Sequence, residues 1–562
     1  MQSFDPISLK ILWDRLVSIA DEVVLSLVRT SFSVNVREGY DLSCILFDHR
    51  GRMIAQGNYS VPSFTGTAPQ TLAHMLRDRP PETLAPGDVV MTNDPWMGTG
   101  HLFDINVMRP VFRGDRLVGY TMSVTHLPDI GGAGISSICT EVYQEGLRFP
   151  VCKLAEKGVM NELLLDIVRM NVRVPEQVIG DIMANVSCNE VGGRALLEFM
   201  DEYGLEELSA LSDAINDHAA SAMREEIATI PDGVYKNEIR IEGREAPIRL
   251  AARVEVQGTD IAIDFAGTDG PVRASINVPL CYTRAQSYYV VKCLTIPTLP
   301  NNEGAVRPIA VSAPEDCILN AQPPWPTGGR HSVGHFIVPL LMGAFEEALP
   351  ARVQADVSMM NVFSVQGHHR DGEEISSLFF LAGGFGALQG IDGRAVTPAP
   401  SNMTVVPTEI WENLTSMTIE KREILADSGG PGTWRGGCGQ EVVFRNDTGH
   451  LLDIALMGQR TEFPARGFAG GGNGAARCFL VGGEAVDGKG RLVLAPGERV
   501  VMREAGGGGF GDPLARPPAA VQHDVDQGYV TLASAHRDYR CVFDRTGRLD
   551  EAATVMLRRE TV

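Results

Sequence analysis

Residues 88–132 read DVVMTNDPWMGTGHLFDINVMRPVFRGDRLVGYTMSVTHLPDIGG. Three short apolar runs, Val89-Val90-Met91, Ile105-Asn106-Val107 and Tyr120-Thr121-Met122-Ser123-Val124, alternate here with polar, glycine-rich turns. That spacing predicts strands with polar clusters at their ends, a common way to present a site on a rigid frame. Two of the clusters repeat one pattern, His-x-x-Asp: His101-Leu102-Phe103-Asp104 and His126-Leu127-Pro128-Asp129. Imidazole nitrogen and carboxylate oxygen suit divalent metals such as zinc, manganese or iron. Two histidines with one or two carboxylates leave a coordination position for water or substrate, as in a catalytic site. The competing reading is that each histidine caps a turn or bonds a neighbouring backbone.

Upstream, Asp5-Pro6 is a helix-start signal, and Leu9, Leu12, Leu16, Ile19 and Val23 recur at helical spacing to about Arg29. Cys44–Phe47, the turn Asp48-His49-Arg50-Gly51 and Met53-Ile54-Ala55 predict a hairpin. Downstream, residues 159–229 read as helices, with Val178, Ile182 and Val186 on one face and Leu208, Leu211 and Ile215 on another. Strand-like alternation returns from Ile239 to Phe265, and a helix is expected from Pro339 to Leu349. Beyond about residue 400, glycine clusters at 429–432, 435–437, 470–472 and 506–509 alternate with short apolar strands. The expected fold is mixed α/β (α+β) and multi-lobed, with a helical middle and a β-rich, Gly-rich C-terminal lobe. Its expected parts are 1–158, an N-terminal α/β region with the metal motifs; 159–235, helical; 236–400, a central α/β region; and 401–562, the β-rich lobe.

The 562 residues carry a net charge of −21. An acidic surface repels nucleic acid and anionic lipid, so neither is expected as a partner. Ten cysteines occur without a Cys-x-x-Cys pair, which argues for reduced, buried thiols. Charged residues near the start and the lack of a long apolar run predict a cytoplasmic protein without a membrane span. Asp129-Ile130-Gly131-Gly132 looks like the phosphate-binding Asp-x-Gly-Gly-Thr of actin-like ATPases, but Ala133 replaces the threonine, and no Gly-x4-Gly-Lys-[Ser/Thr] occurs. A flexible turn is expected at Gly506–Gly509. His331, His335 and His368-His369 are possible extra ligands, with packing or surface roles expected.

Longer segments carry a family resemblance. Arg37-Glu38-Gly39-Tyr40-Asp41-Leu42-Ser43-Cys44-Ile45-Leu46-Phe47-Asp48, Thr92-Asn93-Asp94-Pro95, Gly98-Thr99-Gly100-His101-Leu102-x-Asp104 and His126-x-x-Asp129-Ile130-Gly131-Gly132 resemble the hydantoinase B family. So do Glu145-Gly146-Leu147-Arg148-x-Pro150, Arg435-Gly436-Gly437 and the run from Gly506 to Pro513. The family includes N-methylhydantoinase B subunits, the second half of 5-oxoprolinases, lactamase subunits and subunits of acetone-carboxylase type enzymes. The resemblance implies a hydantoinase A-type partner that binds ATP, a hetero-oligomer, and a small-molecule cyclic amide or ketone substrate. It also implies a divalent metal on His101, Asp104 and His126, with Asp129 as a fourth ligand or a support.

The expected activity is ATP-dependent hydrolysis of a cyclic amide (hydantoin, 5-oxoproline or lactam), acting on an intermediate phosphorylated by the partner. Asp41, Glu38 or Asp129 is the expected general base. The alternatives are ATP-dependent ketone carboxylation and a non-catalytic structural subunit. Two segments depart from the family pattern: Val61–Gly66, where Ser63 stands in a region that holds a histidine in many relatives, and Pro324–His331. Both are expected to shape the substrate pocket.

Overall fold

The computed structural model describes residues 4–559. Asp5 caps the first helix, Pro6–Thr30, by accepting from the Ile7 and Ser8 amides at 3.0 and 3.1 Å. Leu12, Leu16, Ile19, Val23 and Leu27 form its buried stripe. That stripe packs on the long helix Pro175–Glu202 and on the hairpin Leu42–Asp48 with Met53–Gln56.

The hairpin belongs to a seven-stranded antiparallel sheet. Its spatial order is Met53–Gln56, Leu42–Asp48, Arg116–His126, Asp104–Arg113, Val89–Thr92, Cys152–Glu156 and Val159–Met160. Helix Pro175–Glu202 lies on the two longest strands, which are buried along most of their length. Two more helices, Glu162–Asn171 and Ser209–Ile227, flank the long one in sequence, and Val178, Ile182, Leu211 and Ile215 are buried as their spacing predicts.

A four-stranded sheet comes next, ordered Ile309–Ser312, Asp260–Asp264, Ile248–Gln257, Gly233–Ile241, with its first pair parallel. The helix expected from Pro339 instead spans Ile337–Ala344, with Pro339 in its first turn, where a missing amide costs nothing. It stops before Leu349, just after Gly343, and the chain continues in turns.

Two further sheets pack around Phe363, Phe379, Trp411 and Phe444, whose ring centroids lie 4.9–6.5 Å apart. One sheet joins Glu374–Leu381, Asn361–His368, Leu452–Met457 and Lys489–Leu494. Its hydrogen bonds therefore cross the border expected at residue 400. The other joins Met417–Ile424, Gln440–Asn446, Arg499–Arg503, Cys478–Val481 and Glu484–Val486. All ten cysteines are free, and most are buried.

Gly506–Gly509 is not the flexible turn expected from its composition. These glycines are buried against other glycine-rich segments, backbone to backbone. Gly430 N donates to Gly507 O at 2.8 Å, Gly507 N to Gly437 O at 3.0 Å, and Gly509 N to Gly472 O at 3.0 Å. Side chains would separate these chains: a Cβ on Gly506 would fall 1.6 Å from the Ser428 carbonyl oxygen.

Gly506→Ala should therefore lower the apparent melting temperature strongly, by the equivalent of about 3 kcal/mol or more. Gly193→Ala is the control. It lies in the helix Pro175–Glu202, and its Cβ would meet only the Val111 side chain, at 3.4 Å. It should be neutral or stabilising by up to about 1 kcal/mol. Equal melting temperatures for the two variants would contradict the packed role of the glycine run.

Candidate metal centre

Strand register brings the site together. Asp104 and His126 are direct partners in the antiparallel pair Asp104–Arg113 with Arg116–His126. Opposed residues of such a pair project from the same face. The neighbouring strand begins at Leu42, opposite Thr125, so Asp41 falls beside His126, and its carbonyl accepts the His126 amide at 3.1 Å. His101 stands in the turn that enters Asp104. One ligand atom each from His101, Asp104 and His126 lies within 4.8 Å of the others, and all three residues are buried.

The two His-x-x-Asp copies are not equivalent. Asp129 does not join the cluster. Its Oδ1 accepts from Gly131 N at 3.1 Å and from Arg173 Nη1 at 2.8 Å, and its Oδ2 accepts the Arg173 amide. It pins its loop to the segment before helix Pro175–Glu202, with no lone pair directed at the histidines. Glu38 is also apart, in an open acidic cleft of about 710 Å³ with Arg37, His369 and Glu374. Of the three carboxylates expected as bases, only Asp41 lines the histidine cavity.

Each of the two candidate ligand histidines, His101 and His126, lies against a carbonyl. His101 Nδ1 lies 3.0 Å from Gly328 O, and His126 Nδ1 lies 2.9 Å from Leu127 O. A carbonyl only accepts, so each Nδ1 carries the proton and each Nε2 presents a lone pair. His101 Nε2 and Asp104 Oδ1 are 2.8 Å apart, and neither has any partner but the other among the described residues. Two buried acceptor atoms converging on one point fit a divalent cation.

The other carboxylate oxygen, Asp104 Oδ2, accepts from Thr99 Oγ1 at 2.6 Å and from Arg330 Nη2 at 2.7 Å. Arg330 also donates to Thr99 O at 2.7 Å, and its guanidinium lies 4.4 Å from the centre of the Tyr282 ring. Burial alone would raise the Asp104 pKa, but His101 and Arg330 hold it well below the usual carboxylate range. Burial, with the Asp104 charge adding to it, pushes Asp41 up to about 8. Burial and the neighbouring His101 push His126 down to about 3.

The cavity has a volume of about 40 Å³, room for an ion and a few water-sized groups. His331 and His335 line it as well, both buried. Neither belongs to the three-ligand cluster, although His331 Nε2 has no partner among the described residues. His368 is exposed and His369 half-buried, and neither lines this cavity. Ser63 lines it too, donating to Tyr282 Oη at 3.3 Å and accepting from Gln286 Nε2 at 2.9 Å.

The loop before His331 is held by Glu145, whose place in the sequence gives no sign of a role at the metal centre. Glu145 accepts from Gly328 N at 2.7 Å and Thr327 N at 3.1 Å. It therefore fixes the carbonyl that orients His101. Arg330 falls in the Pro324–His331 segment expected to shape the pocket, but its pairing with Asp104 and the part played by Tyr282 follow from no local spacing. Glu145→Ala should loosen the Gly328 carbonyl and weaken divalent-cation binding by about ten- to a hundredfold, measured by chelator competition. Unchanged affinity would remove Glu145 from the support of the site.

With this geometry in hand, similarity to known proteins becomes informative. Residues 5–513 match the Hydantoinase B/oxoprolinase family. Caprolactamase subunit beta from Pseudomonas jessenii is 31% identical over 581 residues, covering 99% of each chain. A chain of the crystal structure of ATP-dependent caprolactamase from that organism superposes with a TM-score of 0.90 at 28% identity, covering 99% of this chain and 100% of that one. The nucleotide-free structure of an acetone carboxylase shares the fold, with a TM-score of 0.89 at 19% identity, over 99% of this chain and 83% of that one. The match over nearly its whole length makes this chain a member of the Hydantoinase B/oxoprolinase family.

Proposed function

We propose that this chain is the metal-bearing subunit of an ATP-dependent cyclic amide hydrolase, acting with a hydantoinase A-type partner that binds ATP. The observation that carries this reading is the convergence of His101 Nε2 and Asp104 Oδ1, buried beside His126 with no other partner among the described residues. The names of the caprolactamase relatives support the lactam class of substrate and the use of ATP.

Amides resist hydrolysis because the carbonyl is a weak electrophile and the nitrogen a poor leaving group. Transfer of the γ-phosphoryl group of ATP to the amide oxygen, on the partner, converts the carbonyl carbon into a better electrophile and releases ADP. The activated, anionic intermediate then reaches this chain. A divalent ion on His101, Asp104 and His126 would supply Lewis acidity toward water or a carbonyl oxygen. Around it, His101 and His126 keep their protons on Nδ1 and off the reacting centre. Arg330 cancels the Asp104 charge, so the cavity does not repel an anionic substrate. Once water has added to the carbon, Asp41, raised to about 8 by burial, gives a proton to the ring nitrogen as the C–N bond breaks, and a second water then splits the resulting acyl phosphate into the carboxylate and inorganic phosphate.

The test is reconstitution of the purified chain with a hydantoinase A-type partner, ATP and a panel of hydantoin, 5-oxoproline and caprolactam. Ring-opened acid should form only when both chains and ATP are present. A keto acid formed from a ketone and bicarbonate, with no ring opening, would move the chain to the carboxylase branch of the fold. Elemental analysis should find close to one divalent ion per chain, lost in the His101→Ala, His126→Ala variant together with turnover. Full turnover in that variant, normally folded, would leave the chain a structural subunit.

A further inference from the structure

A second cavity, of about 190 Å³, lies between the segment Asn58–Thr65 and the helix Leu280–Leu294. Lys292 is the one charged residue lining it. Its ammonium donates to Asn301 Oδ1, a neutral acceptor, and no carboxylate pairs with it among the described residues. Lys10, Lys153, Lys421 and Lys489 sit on carboxylates, whereas Lys157 and Lys236 stand exposed on the surface. Lys292 differs from both groups: it is partly buried in a cavity and its partner is neutral.

Asn302 lines the same cavity and is 1% exposed. Its Oδ1 accepts from Ala305 N at 3.0 Å, while its Nδ2 has no partner among the described residues. A partly buried cation without a counter-ion and a buried donor without an acceptor are both unfavourable, and a single bound anion relieves both. Burial also pushes the Lys292 pKa down to about 8, the direction for a cation that lacks its counter-charge. The walls are mostly apolar and include Tyr288, Tyr289, Met223 and Val306. An apolar cavity of about 150 Å³ holds a benzene-sized molecule, so there is room here for an organic body. One ammonium matches one carboxylate, whereas phosphate carries about −1.5 to −2 near pH 7 and would stay partly uncompensated.

We propose that this cavity binds a small organic carboxylate, its charge on Lys292 with Asn302 as a further donor and its apolar body against the tyrosines. The site is separated from the histidine cavity by one thickness of chain. Val61, Ser63 and Phe64 line the histidine cavity, while Ser60, Pro62 and Thr65 line the carboxylate cavity. It stands independently of the reaction proposed above.

Isothermal titration of the full chain with hexanoate tests it. Hexanamide, which keeps the body without the charge, and inorganic phosphate, which keeps charge without the body, should bind at least tenfold more weakly. Lys292→Met removes a partly buried charge without adding one, so it should fold, and it should weaken hexanoate at least tenfold. Lys292→Arg should retain binding. Asn302→Asp keeps the acceptor for Ala305 but adds a negative charge, and should also weaken binding at least tenfold. The His101→Ala, His126→Ala variant should bind hexanoate as the unaltered chain does. Absent binding, binding indifferent to Lys292→Met, or binding lost with the two histidines would overturn the proposal. Phosphate binding as tightly as hexanoate would overturn the carboxylate assignment.

Discussion

The site depends on one backbone pairing, Asp104 opposite His126. The two strands are joined by the tight turn Gly114-Asp115, with Gly114 at φ +61°, and pair Arg113 with Arg116 next to it. From there the pairing would carry Asp104 to Thr125. A register shift between Val111 and Phe112 intervenes: Phe112 faces Leu117, but Val111 faces Gly119. The extra residue, Val118, moves every later pair by one and sets Asp104 against His126. Successive side chains of a strand alternate faces, so without the bulge the aspartate would share its face with Thr125, and His126 would point away. The bulge sits near the turn, and its effect is felt at the far end of both strands.

A second layer then removes the remaining freedom. The imidazoles are held by the Gly328 and Leu127 carbonyls, and Gly328 is held in turn by Glu145, a residue from a segment with no ligand of its own. Burial makes these bonds matter: each polar group in the cavity that lacked a partner would cost on the order of 1–3 kcal/mol. At the centre, His101 Nε2 and Asp104 Oδ1 are left with no partner but each other among the described residues, and His331 Nε2 faces the same cavity without one.

This hierarchy decides how much of the molecule is legible in its sequence. The strands, the first helix and its cap, and the helices of the middle segment are legible because periodicity and capping are local. Three of the four expected ligands come together because register places two motif ends side by side. Asp129 looks equivalent to Asp104 in the sequence, but the backbone after each one differs. Asp104 enters a strand, whereas Asp129 leads from Pro128 into a turn and meets Arg173, a partner 44 residues away. Arg330 lies 226 residues from Asp104 and belongs to no motif with it, so no spacing could announce it. The glycine run misleads for another reason. Glycine marks both flexible turns and close backbone approach, and only the presence of a second glycine segment against the first separates the two.

Arg330 gives the centre an unusual charge balance. The single carboxylate among the three ligands is already paired with a guanidinium, and both histidines are held neutral by burial. Before any ion binds, the cluster is therefore close to electroneutral. A divalent ion would bring nearly its whole charge into a buried space, where charge is expensive unless compensated. Two sources of compensation are at hand. Asp41, the adjacent carboxyl kept protonated by burial and by Asp104, would gain from ionising beside a cation. An anionic substrate would do the same from outside. With a divalent ion held there, such a site would favour an anionic ligand without a dedicated anion-binding loop, because the arginine neutralises the protein's own negative charge before the ligand arrives.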